Sequence, residues 1–151
     1  MSVTLNILDT WQDNGKTILE DSHALGQCVE TAIIGHLFAH CSSRQARFSY
    51  WRSHKEKEVD LIVEMGGTLI PFEVKYQSQH LQERDVPGLT DLCLQKPSIQ
   101  QAYVLTKAPQ DIGKMENAST DTRFVRIPAA LFCYWLGAAD SAQKDILLRS
   151  P

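Results

Sequence analysis

Residues Glu56 to Tyr76 read EKEVDLIVEMGGTLIPFEVKY, two strand-like runs on either side of Gly66-Gly67. Both glycines can take positive φ, which a two-residue hairpin turn of the primed type requires. A turn there predicts that Met65 faces Thr68 and that every cross-strand pair has residue numbers adding to 133. Val59 then faces Val74, Leu61 faces Phe72 and Val63 faces Ile70, giving one wholly apolar face. On the other face Glu58 meets Lys75, and Asp60 meets Glu73. Carboxylates directly opposite each other have Cβ atoms about 5 Å apart, a destabilising arrangement. A shared proton, a cationic side chain or a metal ion would relieve it. Pro71 cannot donate to a ladder, so the third strand should lie at an edge or carry a bulge or bend near the carboxylates.

Upstream of the hairpin, Ser22 to Cys41 has the pattern of a substantial helix, with Asp21 or Ser22 as its N-cap. Leu25, Val29, Ala32, Ile33 and Leu37 mark its apolar side at helical spacing. Glu30 emerges along the flank of that stripe, since Ile33, Ile34 and Leu37 lie three, four and seven residues on. Two readings stand side by side. The carboxylate either snorkels to water at the stripe's edge or is aimed from the helix toward the acids of the hairpin. Before Ser22, Val3, Leu5, Ile7, Leu8 and Trp11 would make a short helix ended by Asn14-Gly15. Ala46 to Arg52 alternates and is rich in aromatics, as a first strand should be.

Downstream, a helical patch from Leu89 to Leu94 follows Pro87-Gly88, and Ala102 to Thr106 is a continuous apolar strand, the type covered on both faces. The third strand, this helix and Ala102–Thr106 can form a crossover to a parallel strand. Lys107 to Thr122 reads as a long polar loop, Arg123 to Ile127 as a short strand, and Ala129 to Leu136 as a helix opened by Pro128. From Ser141 the chain reads as a loose tail. The domain plan is thus an N-terminal extension over 1–20, one domain over 21–137 and a tail over 138–151.

The chain has 151 residues, 43% hydrophobic and 22% charged, enough for one domain with a real core. Its formal charge of −3 argues against a surface generally coated by nucleic acid and leaves room for a local basic groove. Neither a signal-peptide pattern nor a membrane-spanning run is present, so a cytoplasmic protein is expected. Cys28, Cys41, Cys93 and Cys133 are widely spaced, consistent with reduced thiols. His36 and His40 could share a helix face, but no further cluster completes a zinc site. Gly15-Lys16-Thr17 has Thr10 where a phosphate-binding loop needs its first glycine, so ATP hydrolysis by that route is not expected.

Asp60, twelve residues, then Glu73-Val74-Lys75 is a constellation with a mechanism. Two acids on one face, with a backbone carbonyl near Val74, are hard oxygen ligands suited to Mg²⁺ or Mn²⁺. Such an ion polarises a phosphodiester and lowers the pKa of a bound water. Lys75 could orient that water or neutralise charge on phosphorus, and Glu30 could add a ligand or an outer contact. The bland alternative is a solvated charged face carrying a Glu58–Lys75 surface pair.

This spacing after a glutamate-bearing helix resembles the PD-(D/E)xK, restriction-endonuclease-like superfamily. Gly26-Gln27-Cys28-Val29-Glu30, Tyr50-Trp51-Arg52, Glu58-Val59-Asp60-Leu61-Ile62-Val63 and Pro71-Phe72-Glu73-Val74-Lys75 resemble one family within it more narrowly. That family is the nuclease-like domain usually found at the C-terminus of bacterial and archaeal AAA-type ATPases. Pro87-Gly88-Leu89, Ala102 to Lys107 and Ile127-Pro128 fit its later elements. The resemblance spans about residues 20–137. It implies an α/β (α+β mixed-sheet) fold with an αβββαβ core followed by a strand and a helix. It also implies metal ligands at Asp60, Glu73 and Glu30 and a catalytic lysine at Lys75. The activity implied is Mg²⁺- or Mn²⁺-dependent hydrolysis of DNA, with RNA as another substrate and an AAA-type ATPase as a partner. The rival is a catalytically inactive module that binds nucleic acid or a protein. Arg47, Arg52, Lys55 and Lys57 are candidate phosphate contacts. Tyr76-Gln77 departs from the small polar residues often found there in the family; Gln77 would still fall on the Lys75 face, could take that polar role and is a further candidate nucleic-acid contact.

Overall fold

The computed structural model describes residues 19–54, 56–77 and 80–148. The short helix expected before Asn14, the Gly15-Lys16-Thr17 segment and Lys55 lie outside them. Helix α1 spans Ser22–Cys41. It starts where its cap dictates: Asp21 Oδ1 accepts from the His23 and Ala24 amides at 2.9 and 3.1 Å, satisfying two donors that the first turn leaves unpaired. Strands β1 (Arg47–Arg52), β2 (Glu58–Met65) and β3 (Thr68–Lys75) follow as an antiparallel meander. Helix α2 (Pro87–Gln95) then leads to β4 (Gln101–Thr106), which pairs in parallel with β3. After β5 (Gly113–Met115) and β6 (Arg123–Pro128), helix α3 runs from Ala129 to Leu148. The six strands form one mixed sheet in the order β1-β2-β3-β4-β6-β5, an α/β architecture with the expected αβββαβ core.

Both sheet faces are covered, and this shapes the hairpin. One core gathers Ile33, Leu37 and Cys41 of α1 and Phe132 of α3 over Leu61, Val63, Phe72 and Leu105. The other gathers Leu89, Leu92 and Cys93 of α2 over Val59, Ile62, Ala102, Val104 and Phe124. Burying so many Leu, Ile, Val and Phe side chains stabilises the fold by about 1.5–3 kcal/mol each before entropy is subtracted. Phe38 stacks on Phe48 with ring centroids 3.9 Å apart, fixing α1 against β1.

Gly66 (φ 54°) and Gly67 (φ 79°) form the turn, and pairing from Met65↔Thr68 to Leu61↔Phe72 follows the predicted register. Beyond Leu61 the prediction fails. The β1–β2 register shifts between Ser49 and Trp51, which pair with Ile62 and Val59, so Asp60 and Leu61 together oppose Tyr50. This β-bulge turns the strand by one residue. Val59 consequently joins the α2-side core with Ile62, whereas Leu61 and Val63 face α1. The single apolar face running through Val59 is therefore incorrect, as are the Val59–Val74 and Glu58–Lys75 pairs. The disruption occurs on β2, and Pro71 instead sits inside the sheet, one residue before β3 begins pairing with β4.

Three other expectations change. Ala32 is exposed; Cys41 takes its place in the buried stripe of α1. The polar loop after Lys107 contains the edge strand β5, too short and too polar to carry a periodic signal. The C-terminal helix does not stop at Leu136 or release a loose tail at Ser141, since α3 continues to Leu148. Among the described residues no helix is long and apolar enough to cross a membrane.

Gly88 is required by a close approach. A Cβ there would lie 1.9 Å from the carbonyl oxygen of Glu58. The first turn of α2 thus rests directly on the backbone at the start of β2, two residues before Asp60.

Candidate active site

The acids gather where β2 and β3 stop pairing. No ladder pair joins Asp60 to Glu73. Instead the Asp60 side chain bridges the strands: its Oδ2 accepts from the Val74 amide at 2.7 Å. The opposed carboxylates predicted from register are thus relieved by a shift in the backbone and by a cation, because Lys75 Nζ lies 2.6 Å from Glu73 Oε1. Glu73 is only 3% exposed. Its Oε2 is buried and has no hydrogen-bond partner among the described residues.

Electrostatics bind four side chains into one unit. Burial, then the Asp60 charge, pushes the Glu73 carboxyl up from the ordinary 4.5 to about 7, with Lys75 and, less strongly, the Asp60 backbone amide opposing. Burial also raises Asp60, opposed by the Val74 hydrogen bond and by Lys75. Glu30, half-buried on α1, is raised by burial and next by Asp60. For Lys75 burial acts downward, but Glu73, Asp60 and Glu30 together outweigh it and raise the ammonium pKa. Glu30 is thus electrostatically coupled to both Asp60 and Lys75. Perturbed acids converging on a lysine are characteristic of functional sites, and structural ion-pair networks produce the same signature.

Two carboxylates, one with an unpartnered buried oxygen, suit a hard divalent cation. Among the described residues no group of three or more His, Cys, Asp or Glu side chains is placed to hold a metal ion. Asp60 and Glu73 are the two acids whose oxygens could serve such an ion directly. Mg²⁺ is commonly held in this way.

Two of the expected phosphate contacts form ion pairs within the chain. Arg52 Nε lies 3.0 Å from Glu58 Oε1, and Lys57 Nζ lies 2.9 Å from Asp91 Oδ2. Glu58 thus pairs with Arg52 across the bulged edge, replacing the anticipated Glu58–Lys75 pair. Arg47 is exposed on β1. Gln77 lies beyond the strand: its amide donates to the Lys75 carbonyl at 2.8 Å, closing a tight turn. Strand alternation therefore cannot assign Gln77 to the Lys75 face. His40 contacts Arg44 rather than completing a metal cluster with His36.

Thr106 adjoins the Asp60–Glu73–Lys75 group. It is the β4 partner of Lys75, 1% exposed, and its hydroxyl has no hydrogen-bond partner among the described residues. It ends the apolar run from Ala102, where a threonine carries no distinguishing pattern.

A separate cleft of about 950 Å³ is lined by residues including His80, Arg84, Lys114, Glu116 and Arg126, with none of the four site residues. Arg126 there pairs with buried Asp111 at 3.0 Å. Its charges of both signs do not define a ligand.

The sheet order and the Asp60–Glu73–Lys75 grouping define a mixed α/β domain with an acidic, lysine-bearing site at the opening of its central hairpin. The chain belongs to the family described as a domain of unknown function, DUF4143, whose model matches residues 25–130. Comparison with curated proteins gives no match.

Proposed function

We propose that this domain is a metal-dependent nuclease of the PD-(D/E)xK type, hydrolysing DNA phosphodiesters. The observation that carries the reading is the buried Glu73 carboxylate, held by Lys75 on one oxygen and unpartnered on the other, beside Asp60. In this reading Asp60 and Glu73 hold Mg²⁺ or Mn²⁺, which when bound would polarise the phosphodiester and acidify a water. Lys75 orients the attacking water and balances charge developing on phosphorus. Glu30 supports the site through its coupling to Asp60 and Lys75. An AAA-type ATPase is the proposed partner, RNA an alternative substrate and the cytoplasm the proposed location.

One observation favours the second reading, an inactive module that binds nucleic acid or a protein. Asp60 Oδ2 and Glu73 Oε1 already have partners within the chain, so the acids are satisfied in part without a metal. Cleavage of supercoiled and linear DNA with Mg²⁺ or Mn²⁺, by wild type, Asp60→Ala and Lys75→Ala, separates the two. Metal-dependent cleavage lost in both variants supports the nuclease; wild-type cleavage unchanged by either substitution overturns it.

A further inference from the structure

Thr106 and Lys75 are directly paired on the adjacent parallel strands β4 and β3, about 4.8 Å apart in the hydrogen-bonding direction. Directly paired residues project to the same face. Glu73, two residues before Lys75 on one strand, projects to that face as well. Two buried oxygens without partners among the described residues thus lie on one face of neighbouring strands: the Thr106 hydroxyl and Glu73 Oε2. One can donate and the other only accepts when ionised. Each left unsatisfied costs about 1–3 kcal/mol. Valine would fill the threonine position without that penalty and with equal liking for a strand. The hydroxyl is therefore an expense unless the site uses it.

Resting on the nuclease reading above, we propose that Thr106 is a positioning residue of the site. Its hydroxyl donates to the Glu73 carboxylate and fixes the rotamer that Glu73 and Lys75 present to cation and phosphate. Glu73 itself pairs with Val104, so Thr106 is its diagonal neighbour, about 7–8 Å away and within reach of a long side chain. Thr106 then acts through Glu73, as partners that orient metal ligands generally do, and their loss typically lowers metal affinity or activity about 10–100-fold.

The test uses the full chain with Thr106→Val, which keeps shape and removes the donor, and Thr106→Ser, which restores it. Thr106→Ala supplies a second hydroxyl-free variant should valine disturb packing. Mn²⁺-dependent DNA cleavage is measured as separate kcat and KM values, together with Mn²⁺ affinity by calorimetry and the melting temperature. The expected result is a valine variant at least as stable as wild type, with kcat or Mn²⁺ affinity down about 10-fold or more and KM for DNA unchanged. Serine should recover most of the loss. A purely structural threonine would show wild-type kcat and affinity in Thr106→Val, and that result overturns the proposal while leaving the nuclease reading intact. A wild type that neither cleaves DNA nor binds Mn²⁺ overturns both.

Discussion

Glu73→Gln should make this domain more stable above neutral pH, the reverse of the usual effect of altering a buried ion-paired residue. Glu73 is 3% exposed, and its carboxyl is raised from 4.5 to about 7, chiefly by burial, despite Lys75 at 2.6 Å. A group whose folded pKa is raised contributes stability that is complete below its unfolded pKa and lost as pH rises through the folded value. The window is therefore about pH 4.5 to 7. Stability falls across it because the unfolded chain releases the proton first, with a slope of up to about 1.4 kcal/mol per pH unit. The gap between 4.5 and about 7 thus corresponds to about 3 kcal/mol of destabilisation at pH 8. Glutamine mimics the neutral carboxyl, and Lys75, one-third exposed, can reach water once its partner is uncharged. For a chain of this size the gain at pH 8 corresponds to a rise in Tm of about 6–12 °C. Urea unfolding of both proteins from pH 4 to 8 provides the assay. The curves should converge at pH 4 and separate progressively above pH 5. Parallel curves, or a variant less stable than wild type at pH 8, would refute the assignment of Glu73 as a carboxylate held in a costly charged state.

Other substitutions probe the frame and the chemistry. Gly88→Ala places a methyl on the Glu58 carbonyl oxygen and should lower stability by about 2–3 kcal/mol by overpacking, read by chemical denaturation; an unchanged midpoint would refute the close approach. Asp60→Ala removes the acceptor of the Val74 amide and should cost about 1–2 kcal/mol. Asp60→Asn, which keeps an acceptor, should cost less, and equal losses would show that the bridge contributes nothing. Lys75→Met should reduce DNA cleavage about 100-fold or more and push the Glu73 carboxyl further upward, since Lys75 opposes the rise. Carbon-detected NMR titration of Glu73 checks the second effect.

Much of this architecture could be read from residue pattern. The Gly66-Gly67 turn and the pairs Met65–Thr68 to Leu61–Phe72 follow from glycine's access to positive φ and from strand alternation. The start of α1 follows from the Asp21 cap. The failure at Val59 has a definite origin. A bulge inserts one residue, and because side chains alternate with period two, that insertion exchanges the faces of everything beyond it. No local pattern marks Asp60-Leu61 as its position, since an apolar Val59 suits either covered face equally well. The grouping of Asp60, Glu73 and Lys75 follows from their shared place on the charged face of the hairpin and from like charges facing each other there. Glu30 was ambiguous because helical periodicity cannot say which neighbour a flank residue meets. The position of Thr106 beside Lys75 has no local signature, because it depends on the pairing of two strands distant in sequence.

The most direct test of the proposed cation site is calorimetric titration of Mn²⁺ into wild type and into the Asp60→Asn/Glu73→Gln double variant, each with DNA present. Saturable binding at millimolar Mn²⁺ or below is expected in wild type, with its loss in the double variant. No binding to wild type at millimolar Mn²⁺, or equal binding to both proteins, would contradict it.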